Sequence, residues 1–553
     1  MSKLPFEVEH DWLASLSTPK PSIGERTKTH LLLVLCFLWI TLGLIGHHPW
    51  KPDEGQTISA VKHLLQGGDW AIPSIAGTPT LKNPPLYYLS AAASAWLFSP
   101  WLAMHDAARL ATGLWMALTL LLVGMTGREM WGQGAGRQTT FIFVGSVGLI
   151  YSAHILTPEV AGLAGYAMTF YGLALARRRP WRAAPIIGSG LGIAFLSTGL
   201  LPVQIMLVTA LGLPILFANW RHKAYLTSLA TGLLIAIPWF AVWLWPAWQQ
   251  APELLLAWLQ TGKHVLNNDN LLYFAKTLTW FTWPGLPLAA WSLWYFRSHL
   301  LSRPQFQLGL TLLVTMLLLL GLGSKSRDIL ALPLLLPLAV MGGAAIEELR
   351  RGAAIALDWF GIMLYGMFGF LIWLGWFAMM TGMPAKLAGR MHKLSEAYLP
   401  HFDPLIFVAA CAISLIWFLT VFKVKRSNRA AVTDWAVGTT LVWGLAMSLW
   451  LPWLDASKSY DGLFADMKKS LPQHYACLTS NGLGEHQRAL LDYYLDIRSQ
   501  QFELVQQIEC DLYLVQGERK HMPAAPGAQW QLIWQGKRPS DRHERFRLYH
   551  YQP

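Results

Sequence analysis

Charge is scarce in this 553-residue chain: Asp, Glu, Lys and Arg together make up only 13% of it. A soluble domain carries roughly 25%, so a water-facing globule of this length is excluded. No small-x-small cleavage site follows the first apolar run, Leu31 to Gly46, which begins after about 30 mostly polar residues. That run is therefore expected to stay as a helix, not to leave as a signal peptide. A dedicated metal-binding motif is also missing. What the chain has instead is apolar: 54% hydrophobic residues, 29 tryptophans and a positive mean hydropathy. Its repeated long apolar runs define a polytopic α-helical membrane protein.

The net charge of +12 resides mostly in short loops between apolar runs. Such loops are topology signals, and nucleic acid is not an expected partner. "GREMWGQGAGR" (127–137), "RRRPWR" (177–182), "WRHK" (220–223), "ELRRG" (348–352) and "KVKRSNR" (423–429) are read as cytoplasmic. The N-terminus, with Lys20, Arg26 and Lys28, lies on the same side, which puts residues 47–84 outside. Two apolar stretches, 86–102 and 107–126, then separate an outside loop from an inside one, and parity allows one crossing. "LYYLSAAASAWLFSPW" is read as interfacial or re-entrant, because its aromatics suit the headgroup layer. The count comes to about 13 transmembrane helices, with a last span near 431–453 and an external tail.

That tail changes character. "YACLTSN", "CDLYLVQGE", "QWQLIWQG" and "RFRLYHYQ" read as strands, and "GEHQRALLDYYLDI" reads as a helix. The expected division is a membrane domain over 1–455 and a small soluble α/β domain over 456–553. Cys36 and Cys411 fall in apolar runs, while Cys477 and Cys510 open strands of the tail. A Cys477–Cys510 disulfide and two unpaired core thiols are equally open readings.

The first external loop holds "KPDEG", an adjacent acid pair at Asp53 and Glu54 just beyond the first span. Alone it reads as a turn or a helix cap. The loop continues as "GGDWAIPSIAGTPTLKNPPLYY", too apolar for a solvated linker and too long to be idle. Glu159, in "HILTPEVAG", supplies a second external carboxylate, although an acid at a helix start is favourable anyway. Several external cations run against the positive-inside tendency: Lys62, Lys82, Lys263 with His264, and Lys325 with Arg327 in "GSKSRD". Anionic membrane lipids explain them blandly. A phosphate-bearing lipid substrate explains them more sharply, since converging cations suit a phosphate leaving group.

These residues carry a resemblance. "PDEGQTISAVKHLLQGGDWAIPSIAGTPTLKNPPLYY" is similar to the first external loop of the GT-C class of lipid-to-sugar glycosyltransferases. That class is typified by the 4-amino-4-deoxy-L-arabinose transferases and protein O-mannosyltransferases. "GLGIAFLSTGLLP" (190–202) and "SKSRDILALPLLLPLA" (324–339) resemble further segments of that family. Departures are concentrated at polar positions. Gln56 and Ser59 stand near a family Arg and Glu, Lys82-Asn83-Pro84 replaces Glu-Lys-Pro, Ser197-Thr198-Gly199 replaces Thr-Lys-Gly, and Arg327-Asp328-Ile329 replaces a tyrosine-containing segment.

The resemblance implies a GT-C fold in a bacterial inner membrane, with its active site in loop 47–84 facing the periplasm. It also implies an inverting transfer of sugar from a polyprenyl-phosphate donor to a hydroxyl or phosphate of a lipid such as lipid A. Asp53 is the expected general base, and Glu54 and Glu159 are expected to orient the acceptor or hold a divalent ion. Lys82, Lys325 and Arg327 would bind the donor phosphate; Lys62, Tyr87, Tyr88 and His264 are further candidates for substrate contact. Transfer to a protein hydroxyl, or a non-catalytic lipid carrier on the same bundle, are the alternatives. Spans almost free of charge speak against transport.

Overall fold

A computed structural model describes residues 25–261, 268–323, 326–423, 427–506, 508–519, 521–538, 540–541 and 543–552. Lys263, His264 and Lys325 therefore lie outside the described residues. Among the described residues six helices are long and apolar enough to cross a membrane: Met104–Trp131, Lys223–Gln250, Pro304–Gly323, Asp328–Ala345, Arg351–Thr381 and Pro404–Val421. A seventh follows if Asn428–Leu449 and Leu451–Lys458, bent by 69°, count as one. The sequence count of 13 is not reached on this criterion. Several expected spans are short or interrupted, such as Ala135–Val144 before Leu149–Ser152, and Asn268–Phe281 before Gly285–Tyr295.

Leu86–Phe98, expected at the interface, is a 13-residue apolar helix. At 1.5 Å per residue it is about 20 Å long, short of a ~30 Å hydrocarbon core. It packs along Met104–Trp131, where Tyr87, Ala91 and Ala95 are buried with Ala107, Ala108 and Ala111. Helices Pro158–Leu175 and Pro180–Thr198 approach closely because small residues line their contact. A Cβ on Gly165 would meet the Ala194 backbone nitrogen at 2.5 Å. Gly199, at φ +88°, makes the left-handed joint between Pro180–Thr198 and Leu200–Leu216.

In the first external loop, "EGQTISAVKHLL" forms helix Glu54–Leu65. Its small residues let it bury almost completely, and a Cβ on Gly55 would lie 2.6 Å from His486 Nδ1. The loop then turns through a two-stranded hairpin, β1 (Ser74–Ile75) and β2 (Thr78–Pro79), with Ala76 and Gly77 both at positive φ.

The tail folds as the alternating patterns require. Strands β3 (Leu478–Asn481), β4 (Gln500–Gln501), β5 (Leu512–Glu518), β6 (Trp530–Gly536) and β7 (Glu544–Tyr551) form a sheet in the order β4-β3-β5-β7-β6. β3 runs parallel to β4 and β5, whereas β7 is antiparallel to β5 and β6. Two-residue β4 had no periodicity to reveal it. Cys477 and Cys510 are joined as a disulfide, which settles the open alternative.

The sheet domain and the first loop share one core. Ile58 and Val61 of the loop helix pack with Leu490 and Leu491 of helix Glu485–Leu495, and with Leu512, Leu514 and Phe546 of the sheet. The loop is thereby clamped between the membrane helices and the tail.

Candidate active site

The adjacent acids Asp53 and Glu54 part company at the start of the loop helix. Successive helical residues project about 100° apart. Glu54 turns inward and is 1% exposed. Its Oε1 accepts from Arg109 Nε at 2.8 Å and from the Leu156 amide at 2.9 Å, and its Oε2 accepts from the Trp50 amide at 2.7 Å. Arg109 also donates to Asp106 at 2.7 Å and to the Leu44 carbonyl at 2.9 Å. Burial works against the Glu54 charge, but Arg109 and the Trp50 amide prevail and hold the carboxyl below its usual range. The expected role of Glu54 in orienting acceptor or holding an ion meets a carboxylate that is buried and already holds Arg109 and two backbone amides.

Asp53 occupies the N-cap position, yet its carboxylate makes no capping hydrogen bond. It faces Arg327, which donates to it across 274 residues of sequence. Glu159, the second residue of helix Pro158–Leu175, accepts from the Thr157 hydroxyl and feels the charges of both Asp53 and Arg327. Tyr88 is buried beside them, hydrogen-bonded to Asn83 and within electrostatic reach of Glu159, Glu485 and Asp53. The structure thus brings Asp53, Glu159, Tyr88 and Arg327 together.

The remaining candidates divide. Lys82 stays half-exposed and donates to Gln56 at 2.7 Å and Glu485 at 3.0 Å. Lys62 is buried against the tail domain, where it binds Asp496 and the Asp492 carbonyl, so it docks the domain and is not open to substrate. Tyr87 is likewise structural: its hydroxyl lies 2.6 Å from Thr112 Oγ1 and accepts from the Thr157 amide at 3.1 Å. Among the described residues no group of three or more His, Cys, Asp or Glu is arranged to hold a metal.

Two features escaped sequence reading. Arg109 is a fully buried cation in an apolar helix, and its only signal was Asp106 three residues earlier in "HDAARL". Glu485, from the tail, enters the rim of the site by accepting from Gln56 at 3.1 Å. The family departures gain a physical sense here. Gln56 and Ser59, near the positions where the resemblance leads one to expect Arg and Glu, bind Glu485 and Asp492 of the tail.

Two cavities adjoin this cluster in sequence. One of about 60 Å³ is lined by Glu159, Gly162, Tyr166, Thr198, Leu320 and Ile329, among others. The other, an apolar groove of about 410 Å³, is walled by Trp70, Pro85, Leu86, Leu89, Leu196, Trp239 and Trp243. An ion-paired cluster and an apolar groove built partly from the same external loop suit an amphiphile with a charged head.

Helices, clamped loop and appended sheet together give the GT-C membrane fold. The chain superposes on the crystal structure of ArnT from Cupriavidus metallidurans bound to undecaprenyl phosphate with a TM-score of 0.64 at 14% identity, covering 95% of this chain and 98% of that one. In sequence it is similar to the undecaprenyl phosphate-α-4-amino-4-deoxy-L-arabinose arabinosyl transferase of Pseudomonas aeruginosa (strain LESB58), 26% identical over 375 residues. That alignment covers 62% of this chain and 64% of the relative, just under two thirds of its length. The Serratia proteamaculans (strain 568) enzyme of the same name is 22% identical over 437 residues, covering 76% of each chain. No family model matches.

Proposed function

We propose that this protein is a glycosyltransferase that moves a sugar from a polyprenyl-phosphate donor to a hydroxyl or phosphate of a lipid A-type acceptor. The observation that carries the reading is the Asp53 carboxylate, turned away from its own helix onto Arg327 and beside Glu159. The similarity to arabinosyl transferases supports the donor class.

Asp53 takes the proton of the acceptor hydroxyl as its oxygen attacks the anomeric carbon. The bond to the polyprenyl-phosphate oxygen breaks on the opposite face, and the configuration inverts. Arg327 leaves Asp53 to meet the departing phosphate, assisted by Lys82 and Lys325. Phosphate leaves as an anion, so no second acid is required. The polyprenyl chain lies in the apolar groove at Trp70, Leu86 and Trp243.

The same reading places residues 1–455 in a bacterial inner membrane with thirteen crossings and 456–553 outside. The interrupted helices, each counted as one span, support that number. The test is incubation of purified protein with lipid A and a panel of radiolabelled undecaprenyl-phosphate sugars, 4-amino-4-deoxy-L-arabinose among them. Labelled acceptor is expected with at least one donor. Donor binding with no labelling across the panel, while a known transferase labels the same acceptor, would make the chain a lipid carrier.

A further inference from the structure

Between helices Arg351–Thr381 and Pro404–Lys423 the chain forms a short amphipathic helix, Ala385–Leu394. The basic segments at Arg350–Arg351 and 423–429 lie at the far ends of those two helices, which puts this one at the outer face. One side of it, Leu387 and Met391, packs on Met379 and Trp453. The other presents Lys386, Arg390 and Lys393, a stripe at i, i+4 and i+7. All three are exposed, and none has an ion-pair partner among the described residues.

Three unpaired cations on the outer face oppose the positive-inside tendency and need an anionic counterpart. The surroundings are those of an interface: Met383, Leu399 and Leu405 are 62%, 83% and 79% exposed. Beneath the helix lies a cavity of about 280 Å³ reached by His392, Tyr398 and Trp453. Ser395, 0% exposed, lines it with an Oγ that has no hydrogen-bond partner among the described residues. A buried hydroxyl without a partner points to a polar group that is supplied from outside.

The surface is also coupled to the loop that carries Asp53. Trp453 donates to the Met391 carbonyl at 3.0 Å. In the same helix, Leu451–Lys458, Asp455 accepts from Trp50 Nε1 at 2.9 Å, and the Trp50 amide donates to Glu54.

We infer that helix Ala385–Leu394 and the cavity under it dock the phosphorylated headgroup of the acceptor glycolipid, with Lys386, Arg390 and Lys393 pairing its phosphates. The identity of that lipid rests on the transferase reading; the cationic docking surface rests on the geometry above. Bulk phospholipid is the competing occupant, and the experiment separates the two. Full-length protein in phosphatidylcholine nanodiscs is titrated with bisphosphorylated lipid A, with dephosphorylated lipid A, and with phosphatidylglycerol, no donor present. Wild type is expected to bind the bisphosphorylated lipid at least ~10-fold tighter than either control, as charge-assisted contacts to phosphate require. Lys386→Gln/Arg390→Gln/Lys393→Gln should remove that preference, with its thermal transition unchanged because all three side chains are exposed. Phosphatidylglycerol binding equally well, or the triple variant keeping the preference, would overturn the inference. Wild type that binds but never transfers sugar leaves this inference standing and removes the transferase reading instead.

Discussion

Arg327 pairs with Asp53, and the two residues are brought together from segments 274 positions apart. The pair is partly open to solvent, with side chains 36% and 19% exposed. A pair built for architecture would be buried like Glu54–Arg109; this one is reached by solvent. Asp53→Asn keeps the side-chain shape and removes the proton acceptor. Transfer should fall by about 10²- to 10⁴-fold while donor binding persists. Arg327→Ala should weaken donor binding at least ~10-fold, the usual scale of a charge-assisted phosphate contact. Donor affinity by equilibrium binding and transfer by label incorporation separate the two effects. Undiminished transfer in Asp53→Asn would reduce the motif to a structural turn.

Glu54 should behave differently from its neighbour. Its carboxylate and Arg109 are buried together, 1% and 0% exposed. Removing the Glu54 charge leaves buried Arg109 with Asp106 as its remaining carboxylate partner, a loss of up to roughly 3–5 kcal/mol. Glu54→Gln is therefore expected to lower the thermal unfolding temperature in detergent and to lose activity through folding. A Glu54→Gln protein with wild-type stability and no transfer would return Glu54 to the chemistry.

Much of this site was legible because its residues break local rules. Arg327 is a cation between two very apolar runs, and Asp53 and Glu159 sit at helix starts. Adjacent letters could not say which of Asp53 and Glu54 would face the core, because that depends on where the helix begins. Lys62 and Tyr87 looked equally available in sequence. Their partners are Asp492 and Asp496 over 400 residues away, and Thr112 on a neighbouring helix. The strands of the tail showed in their alternation; its docking did not, because the Gln56–Glu485 and Ser59–Asp492 contacts have no periodicity.

Domain docking should depend on pH through two histidines acting in opposite directions. His48 is hydrogen-bonded to Asp455 at 2.7 Å and faces Asp461 of the tail at 3.7 Å, and these carboxylates lift its pKa above the ordinary value despite burial. Its contribution is complete below about pH 6.5 and vanishes as pH rises through the raised value. His486 is buried under the loop helix, and burial, aided by Lys51, pushes it down to about 4. Its contribution is complete above about pH 6.5 and is lost as pH falls towards 4. Each group changes stability by at most about 1.4 kcal/mol per pH unit. Protection of helix Glu485–Leu495, measured as exchange relative to the intrinsic rate at each pH, should therefore be greatest near pH 6.5. His48→Gln should flatten the alkaline limb and His486→Phe the acidic one. Identical profiles in wild type and both variants would remove the histidines from the docking energetics.

The orientation of the bundle can be read at two positions on either side of helix Met104–Trp131. Ser99 follows the short helix Leu86–Phe98 and belongs outside on the thirteen-span reading; the turn at 132–134 belongs inside. Gly134 is a poor place for a probe, because its φ of +88° strains any side chain. Gln133 is exposed and serves instead. In a Cys36→Ala/Cys411→Ala background, an impermeant maleimide added to intact spheroplasts should label Ser99→Cys and spare Gln133→Cys until the membrane is opened. The Cys477–Cys510 bridge keeps the tail silent in this assay. Labelling of Gln133→Cys from outside would mean that Leu86–Phe98 crosses the membrane after all. Its ~20 Å length makes that costly, because a helix so short exposes unpaired polar backbone ends to ~30 Å of hydrocarbon.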